Sequence, residues 1–454
     1  MKRYFLSLIW LPLLVMSVAC GSSGSGDASN GSPAVFVTGE DAPLPTVVSF
    51  NITLNTITLT NQSGKTVTVL SQATTVDFGR LMGLRSLLGF SSVPAGTYTS
   101  ATFNMASPII DYINLSANPP SLGTMNGTLT NSSVTVSFPQ AMVVGNNGLA
   151  GLHMDFDLRD SLQTDQTGQI TGMVNPVITI AAVSATDEEG EITDFTGALV
   201  STDTMHNTFR MQGPWGFQET IAVNAQTQYN GTFSLTSLPT DGIISVVGRV
   251  QADGSILARA VEVVTTDAAF ISGRILQLTP SSGPVQNLTM FIGEELPAMS
   301  GNFARGQVLT FDVSQVTNYD VCFIDNWLTN FVFNSSSLVA GQRIFVGGTW
   351  DSTTATFTPD MISLRRQGVV GQLTPNSVSV TNGNQGSFKL QNDGLLGWVA
   401  QGPFTVNTSN GTTFINVSGL SGLSSATPPI TASGLVLDVA GQPQVYAQRV
   451  AVRP

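Results

Sequence analysis

The chain has 454 residues, 42% hydrophobic and only 10% charged, with 29 acidic against 17 basic side chains and a formal net charge of −12. At ~100–200 residues per domain that length implies two to four domains with real cores, and its charge content lies far below the ~25% of an average soluble protein. The acidic balance lacks the basic footprint that nucleic-acid binding requires, and two cysteines with two histidines leave little for disulfide or zinc chemistry.

Residues 1–19 read as a secretory signal peptide: Lys2 and Arg3, an apolar run from Tyr4 to Met16, then small Ser17-Val18-Ala19. The run is shorter than the ~20 residues that span a bilayer. The small residues leading into Cys20-Gly21-Ser22-Ser23 resemble a bacterial lipobox. That resemblance implies acylation of Cys20 and a membrane as the first partner, here the outer membrane, on its periplasmic or its surface side. Residues 20–45, opening on a Gly/Ser/Asn/Asp tail, are expected to be a flexible tether. Loss of the leader leaves 15 basic against 29 acidic side chains. It also leaves Cys322, in the apolar run "DVCFI", without a disulfide partner; this cysteine reads as a small buried hydrophobe.

From residue 46 to 184, period-two alternation predicts a β domain. In "VVSFNITLNTITLT" the apolar parity shifts once near Asn55, which predicts a bulge or a turn. A hairpin follows around Ser63-Gly64. Leu81, Leu84 and Leu88 recur at helical spacing, predicting one short helix within residues 77–90. Pro94 and Gly96 make a turn into the next strand. In "GLHMDFDLRDSL", Met154, Phe156 and Leu158 share one face, and His153, Asp155 and Asp157 share the other. The opening alternation from Val47, the run Val93-Pro94-Ala95-Gly96-Thr97-Tyr98 and the run Leu152-His153-Met154-Asp155-Phe156-Asp157-Leu158 together resemble domain of unknown function 4382. The resemblance implies a β-rich extracytoplasmic module and carries no established reaction.

Residues 185–194, with Asp187, Glu188, Glu189 and Glu191, read as an acidic linker. The remainder holds a weak internal repeat. Three openings share an apolar-Gly pattern: "FTGALV" at Phe195, "ISGRIL" at Ile271 and "VVGQLT" at Val369. Three closings each read as strand, glycine, turn and strand, placed on Gly248, Gly348 and Gly434, with Asp253-Gly254 as the cleanest turn. The repeat units are set at residues 195–266, 267–366 and 367–454. The pattern from Gly248 to Ala258 resembles domain of unknown function 5666, which implies small β-barrel-like units in exported proteins. The expected architecture is therefore all-β: an N-terminal sandwich-like domain with one short helix, then about three small barrel-like or sandwich-like repeats.

The chain shows no nucleophile elbow, no His-Glu-x-x-His and no phosphate loop, so no catalytic residue and no cofactor is assigned. Asp155 and Asp157, ~7 Å apart on one strand face, are with Asp160 the candidates for a Ca²⁺ site; a solvated face with Arg159 beside it is the alternative. Trp215 and Trp327, in turn-like contexts, are the candidates for ligand contact through stacking on a sugar, against a plain role in plugging small β cores. The expected function is a non-catalytic envelope binding or scaffolding module with a glycan or an envelope protein as partner and no nucleic acid. A carbohydrate-binding surface lipoprotein is the alternative, and a hydrolase with an unrecognised site is a further one.

Overall fold

The computed structural model describes residues 33–452, except 43, 45, 115–116, 118–120, 188, 214–217, 241, 266–268, 282, 297–305, 323–330, 352, 355, 392–401, 427–428 and 440. The regular structure of the described chain is nearly all β, built as one sandwich and three barrel-like units.

The sandwich has two main sheets. The first orders Ile178–Val183, Leu149–Asp157, Ala34–Ala42 and Ser86–Ser92, with the two central strands parallel. The second is built on the long pair Val47–Asn61 and Gly96–Asn114. Thr66–Leu70 and Thr74–Asp77 pair with the former, Ser121–Asn126 and Ser133–Val144 with the latter. Alternation puts Phe50, Ile52 and Leu54 of one sheet against Leu152, Met154 and Phe156 of the other in one core. The Phe50 and Phe156 ring centroids lie 5.3 Å apart. The parity shift at Asn55 is a bulge, where the register slips between Leu54 and Thr56.

Three expectations change here. Residues 20–45 are not tether throughout, because Ala34–Ala42 is a central strand of the first sheet. Val35 and Val37 enter the sandwich core while Phe36 enters the core of the neighbouring barrel, so this strand is buried on both faces and shows no alternation of polarity. The helix expected within 77–90 is a single 3₁₀ turn, Phe78–Leu81. Gly83 then takes φ +63, a left-handed conformation that ends a helix, and Leu87 and Leu88 lie on the strand Ser86–Ser92. The acidic linker is shorter than 185–194, since strand Glu191–Asp203 starts inside it.

The repeat units share one topology. In the first, strands Glu191–Asp203, Thr208–Gln212, Gln218–Ala222, Ile243–Val250 and Ile256–Thr265 pair first-to-second, second-to-third, first-to-fourth and fourth-to-fifth, all antiparallel, and a parallel third-to-fifth ladder closes the cycle. In the third, Gln367–Leu373, Gln385–Gln391, Phe404–Thr408, Ile430–Val439 and Gln442–Val452 repeat this order, again with a parallel closing ladder. The second unit, Ala269–Thr279, Asn287–Leu296, Val308–Asp312, Arg343–Asp351 and Thr356–Leu364, has the same order of antiparallel pairs. Between third and fourth strands each unit adds a short strand parallel to the fifth and a 3₁₀ turn: Gln228–Tyr229 with Leu235–Ser237, Asn318–Val321 with Ser335–Ser337, and Thr413–Ile415 with Leu420–Ser425. This is a five-stranded, partly open Greek-key barrel, the architecture of oligonucleotide- and oligosaccharide-binding folds; the architecture alone assigns no ligand.

The glycines that mark each closing have a common cause. The fourth-to-fifth strand register slips next to Gly248, Gly348 and Gly434 alike. A Cβ at these positions would collide with the carbonyl oxygens of Leu257, Thr358 and Tyr446 respectively. Only a residue without a side chain lets the bent strand approach its partner this closely.

The modules are fused through apolar contacts. Phe36 and Leu87 of the sandwich join the first barrel's core. Ile243 and Val264 of the first barrel pack with Phe270, Phe345 and Met361 of the second. Leu435 and Leu437 of the third barrel complete the second barrel's core.

Candidate functional site

The loop from Asp77 to Ser86 sets the geometry where the modules meet. Asp77 fixes its start, accepting from Ser49 Oγ and Phe50 N at 2.9 Å each. The loop then touches each barrel in turn. Arg80 Nη1 donates to Glu294 Oε2 of the second barrel at 3.1 Å. Gly83 O accepts from Ser433 Oγ of the third at 2.9 Å. Arg85 N donates to Thr193 Oγ1 and Arg85 Nε to Glu191 O, both of the first barrel, at 2.9 and 3.1 Å.

Two further buried ion pairs cross module boundaries. Glu262 of the first barrel accepts from Arg365 Nη1 at 2.8 Å, with both side chains almost fully buried. The Arg365 guanidinium also stacks on Phe345, 4.3 Å from its ring centroid. Glu40 of the sandwich accepts from Arg449 Nη1 of the third barrel at 2.8 Å. Buried charges are tolerated when paired in this way, and removing one partner is costly.

Around this junction lies a cleft of about 220 Å³ lined by the sandwich, by the first and third barrels and by Arg366 of the segment that joins the second barrel to the third. Its floor is Arg85 and Ser433, 3% and 2% exposed. Its walls are Glu191, Thr193, Arg366, Gln448 and Arg449, and its rim is Arg259, Gly411 and Thr413, which face solvent. Arg259 Nε holds Glu191 Oε1 at 3.0 Å. Four arginines line the cleft with one carboxylate, Glu191; with Glu40, which is paired to Arg449 behind the lining, the group carries a formal charge of +2 inside an acidic chain. Among the described residues no aliphatic or aromatic side chain lines the cleft. A second crevice, beside Asp77, Arg80, Arg274 and Arg343, holds about 30 Å³, the share of about one water.

His153 lies behind Arg85 and Arg449. Its Nδ1 is 3.0 Å from Thr38 Oγ1 and its Nε2 is 3.9 Å from Glu40 Oε2. Burial, reinforced by Arg85 and Arg449 and opposed by Glu40, pulls its pKa down to about 4. The ring is therefore neutral at pH 7 and adds no charge to the cleft.

The residues singled out from sequence disperse. Asp155 and Asp157 do share a face with His153. Asp157, however, serves as the N-cap of the short helix Leu158–Ser161, accepting from Asp160 N at 3.0 Å. Asp160 is exposed. Among the described residues no group of three or more His, Cys, Asp or Glu side chains is placed to hold a metal ion. His206 lies on an exposed turn of the first barrel with Nδ1 2.6 Å from Asp203 Oδ2, in a different module from His153. Cys322 is buried in the second barrel's core, its Sγ 3.7 Å from Glu262 Oε2. Cys20, Trp215 and Trp327 lie outside the described residues; Trp350 packs against the second barrel's core.

The arginines of the cleft were not singled out from the sequence, although a signal was present. Each closing segment carries arginine near its end: Arg259, Arg365-Arg366 and Arg449. In a chain with so few cations, that recurrence on or just after each barrel's fifth strand points to a shared junction.

No curated protein matches the chain. Among solved structures, drosophila Unr CSD456 is similar at 9% identity and a TM-score of 0.14, covering 58% of this chain and 98% of that one; a likeness at that TM-score carries no argument. The sandwich, from its buried first strand through the Ile170–Val174 strand, is the part that matches a family model, "Domain of unknown function (DUF4382)", over residues 34–176.

Proposed function

We propose that the chain is an exported, lipid-anchored, non-catalytic binding module of the cell envelope. The observation that carries the binding reading is the composite cleft: the sandwich, the first and third barrels and the segment carrying Arg366, in a chain whose modules are joined by buried ion pairs, together line one polar, cationic recess that no single module contains. The leader and the lipobox-like Cys20 support anchoring. The resemblance of the Gly248–Ala258 pattern to domain of unknown function 5666 supports an exported setting. The carbohydrate-binding reading is favoured by the barrel architecture, which elsewhere serves oligosaccharides as well as oligonucleotides; the acidic net charge disfavours the latter.

Anchoring and binding are tested separately. Labelled palmitate should be incorporated into the expressed chain and disappear in Cys20→Ser, with the protein moving from the membrane to the soluble fraction. Label retained by the variant would overturn the anchor. For binding, the intact chain is screened against envelope glycans and cross-linked in envelope extracts. Capture that persists through washing and is lost in Arg366→Gln supports the module; absence of both glycan and protein capture overturns it.

A further inference from the structure

We infer that the composite cleft binds a small polyhydroxylated oxyanion: a sugar bearing a carboxylate or a phosphate. This rests on the binding-module reading above and names the ligand class for its site.

Charge comes first. After the leader the chain has 15 basic side chains, and four of them, Arg85, Arg259, Arg366 and Arg449, line this one recess. They come from the sandwich, from strands of the first and third barrels, and from the segment joining the second barrel to the third. The chain as a whole is acidic, so this grouping of cations runs against its net charge. Cationic walls of low dielectric concentrate an anion in a cleft. Guanidinium forks suit carboxylate and phosphate oxygens because they can donate two parallel hydrogen bonds.

The lining narrows the class. Thr193, Thr413, Ser433 and Gln448 offer hydroxyl and amide groups, and among the described residues no apolar side chain offers a surface to a lipid tail or a nucleobase. At ~30 Å³ per water, the cleft of about 220 Å³ holds the equivalent of about seven waters. That is too much space for a bare ion and matches one sugar ring with its charged group. Glu191 supplies the acceptor that sugar hydroxyls require. It is held in place by Arg259 at one oxygen and through its carbonyl by Arg85. The exposed rim of Arg259, Gly411 and Thr413 gives entry from solvent.

The test is calorimetric titration of the full-length chain with glucuronate, glucose 6-phosphate, glucose and inorganic phosphate at fixed salt. Saturable binding of glucuronate or glucose 6-phosphate, at least tenfold tighter than of glucose and of inorganic phosphate, is expected. The preferred member of the pair tells a carboxylated source from a phosphorylated one. Arg259→Gln and Arg366→Gln should each weaken binding about tenfold and flatten its salt dependence. Thr413→Val, on the exposed rim, should weaken it with the thermal midpoint unchanged. Equal binding of inorganic phosphate, equal binding of glucose, no saturable binding, or affinities unchanged in all three variants would each overturn the inference. A chain that captures an envelope partner yet ignores these sugars fails here alone; a chain that captures nothing fails the broader reading.

Discussion

His153 converts the junction's electrostatics into a measurable dependence of stability on pH. Its ring is packed behind Arg85 and Arg449, with Nδ1 on Thr38 Oγ1 at 3.0 Å. Burial foremost lowers its pKa from 6.5 to about 4. In the unfolded chain the same ring takes its proton near pH 6.5. Between these values the unfolded state binds more protons than the folded state, so stability falls as pH drops through the window. The gap is roughly two and a half pH units, equivalent to on the order of 3 kcal/mol. Other buried groups titrate too, so the useful quantity is the difference between the native chain and His153→Gln, which keeps a polar side chain beside Thr38 and cannot titrate. Urea unfolding of both at pH 7, 5.5 and 4 gives it. The native chain's advantage over the variant should shrink by on the order of 3 kcal/mol from pH 7 to pH 4. Two curves separated by a constant gap across that range would refute the reasoning, and with it the burial of a neutral ring behind the arginines.

Three further outcomes test other parts of the molecule. Glu219, buried in the first barrel opposite Met211, has its carboxyl pushed up to about 8 by burial. Its contribution is full below the unfolded carboxylate pKa and is lost as pH rises through 8, so thermal melts from pH 5 to 9 should decline less in Glu219→Gln than in the native chain. Glu262→Ala leaves Arg365 buried without its carboxylate and should cost about 3–5 kcal/mol; scanning calorimetry should show the lead transition moving down, and an unmoved transition would mean the pair does not join the barrels. Gly348→Ala should cost about 1–3 kcal/mol from the collision with Thr358 O, while Gly96→Ala, where a Cβ meets nothing within 4 Å, should leave the midpoint within error; equal effects of the two would remove the close-approach explanation.

Much of the fold is legible from local chemistry. Alternation gave the strands, the parity shift at Asn55 gave a bulge, and the three glycines on closing strands marked three bends against a partner strand. What local pattern misses is any segment buried on two sides. Ala34–Ala42 alternates in packing, Val35 and Val37 one way and Phe36 the other, yet its residues show no polar face because both faces are covered. The same limit applies to the site. Arg85, Arg259, Arg366 and Arg449 lie far apart in the chain and meet only through the packing of modules, which no periodicity within one module reports.

The loop around Gly83 shows why the two misses are connected. Leu81, Leu84 and Leu88 have helical spacing, yet Leu81 and Leu88 enter the sandwich core from a 3₁₀ turn and a strand, on either side of a left-handed glycine. A helix there would satisfy its own backbone and close the loop on itself. The extended path instead leaves backbone and side-chain groups to be used outward: Gly83 O by Ser433, Arg85 N by Thr193, Arg80 by Glu294. Those three contacts reach three different barrels. The segment that departs most from its local pattern is therefore the one that joins the four modules, and it places Arg85 on the floor of the cleft. A local rule broken in a folded protein signals that a non-local interaction outweighs it. Here that interaction assembles the recess on which the proposed function depends.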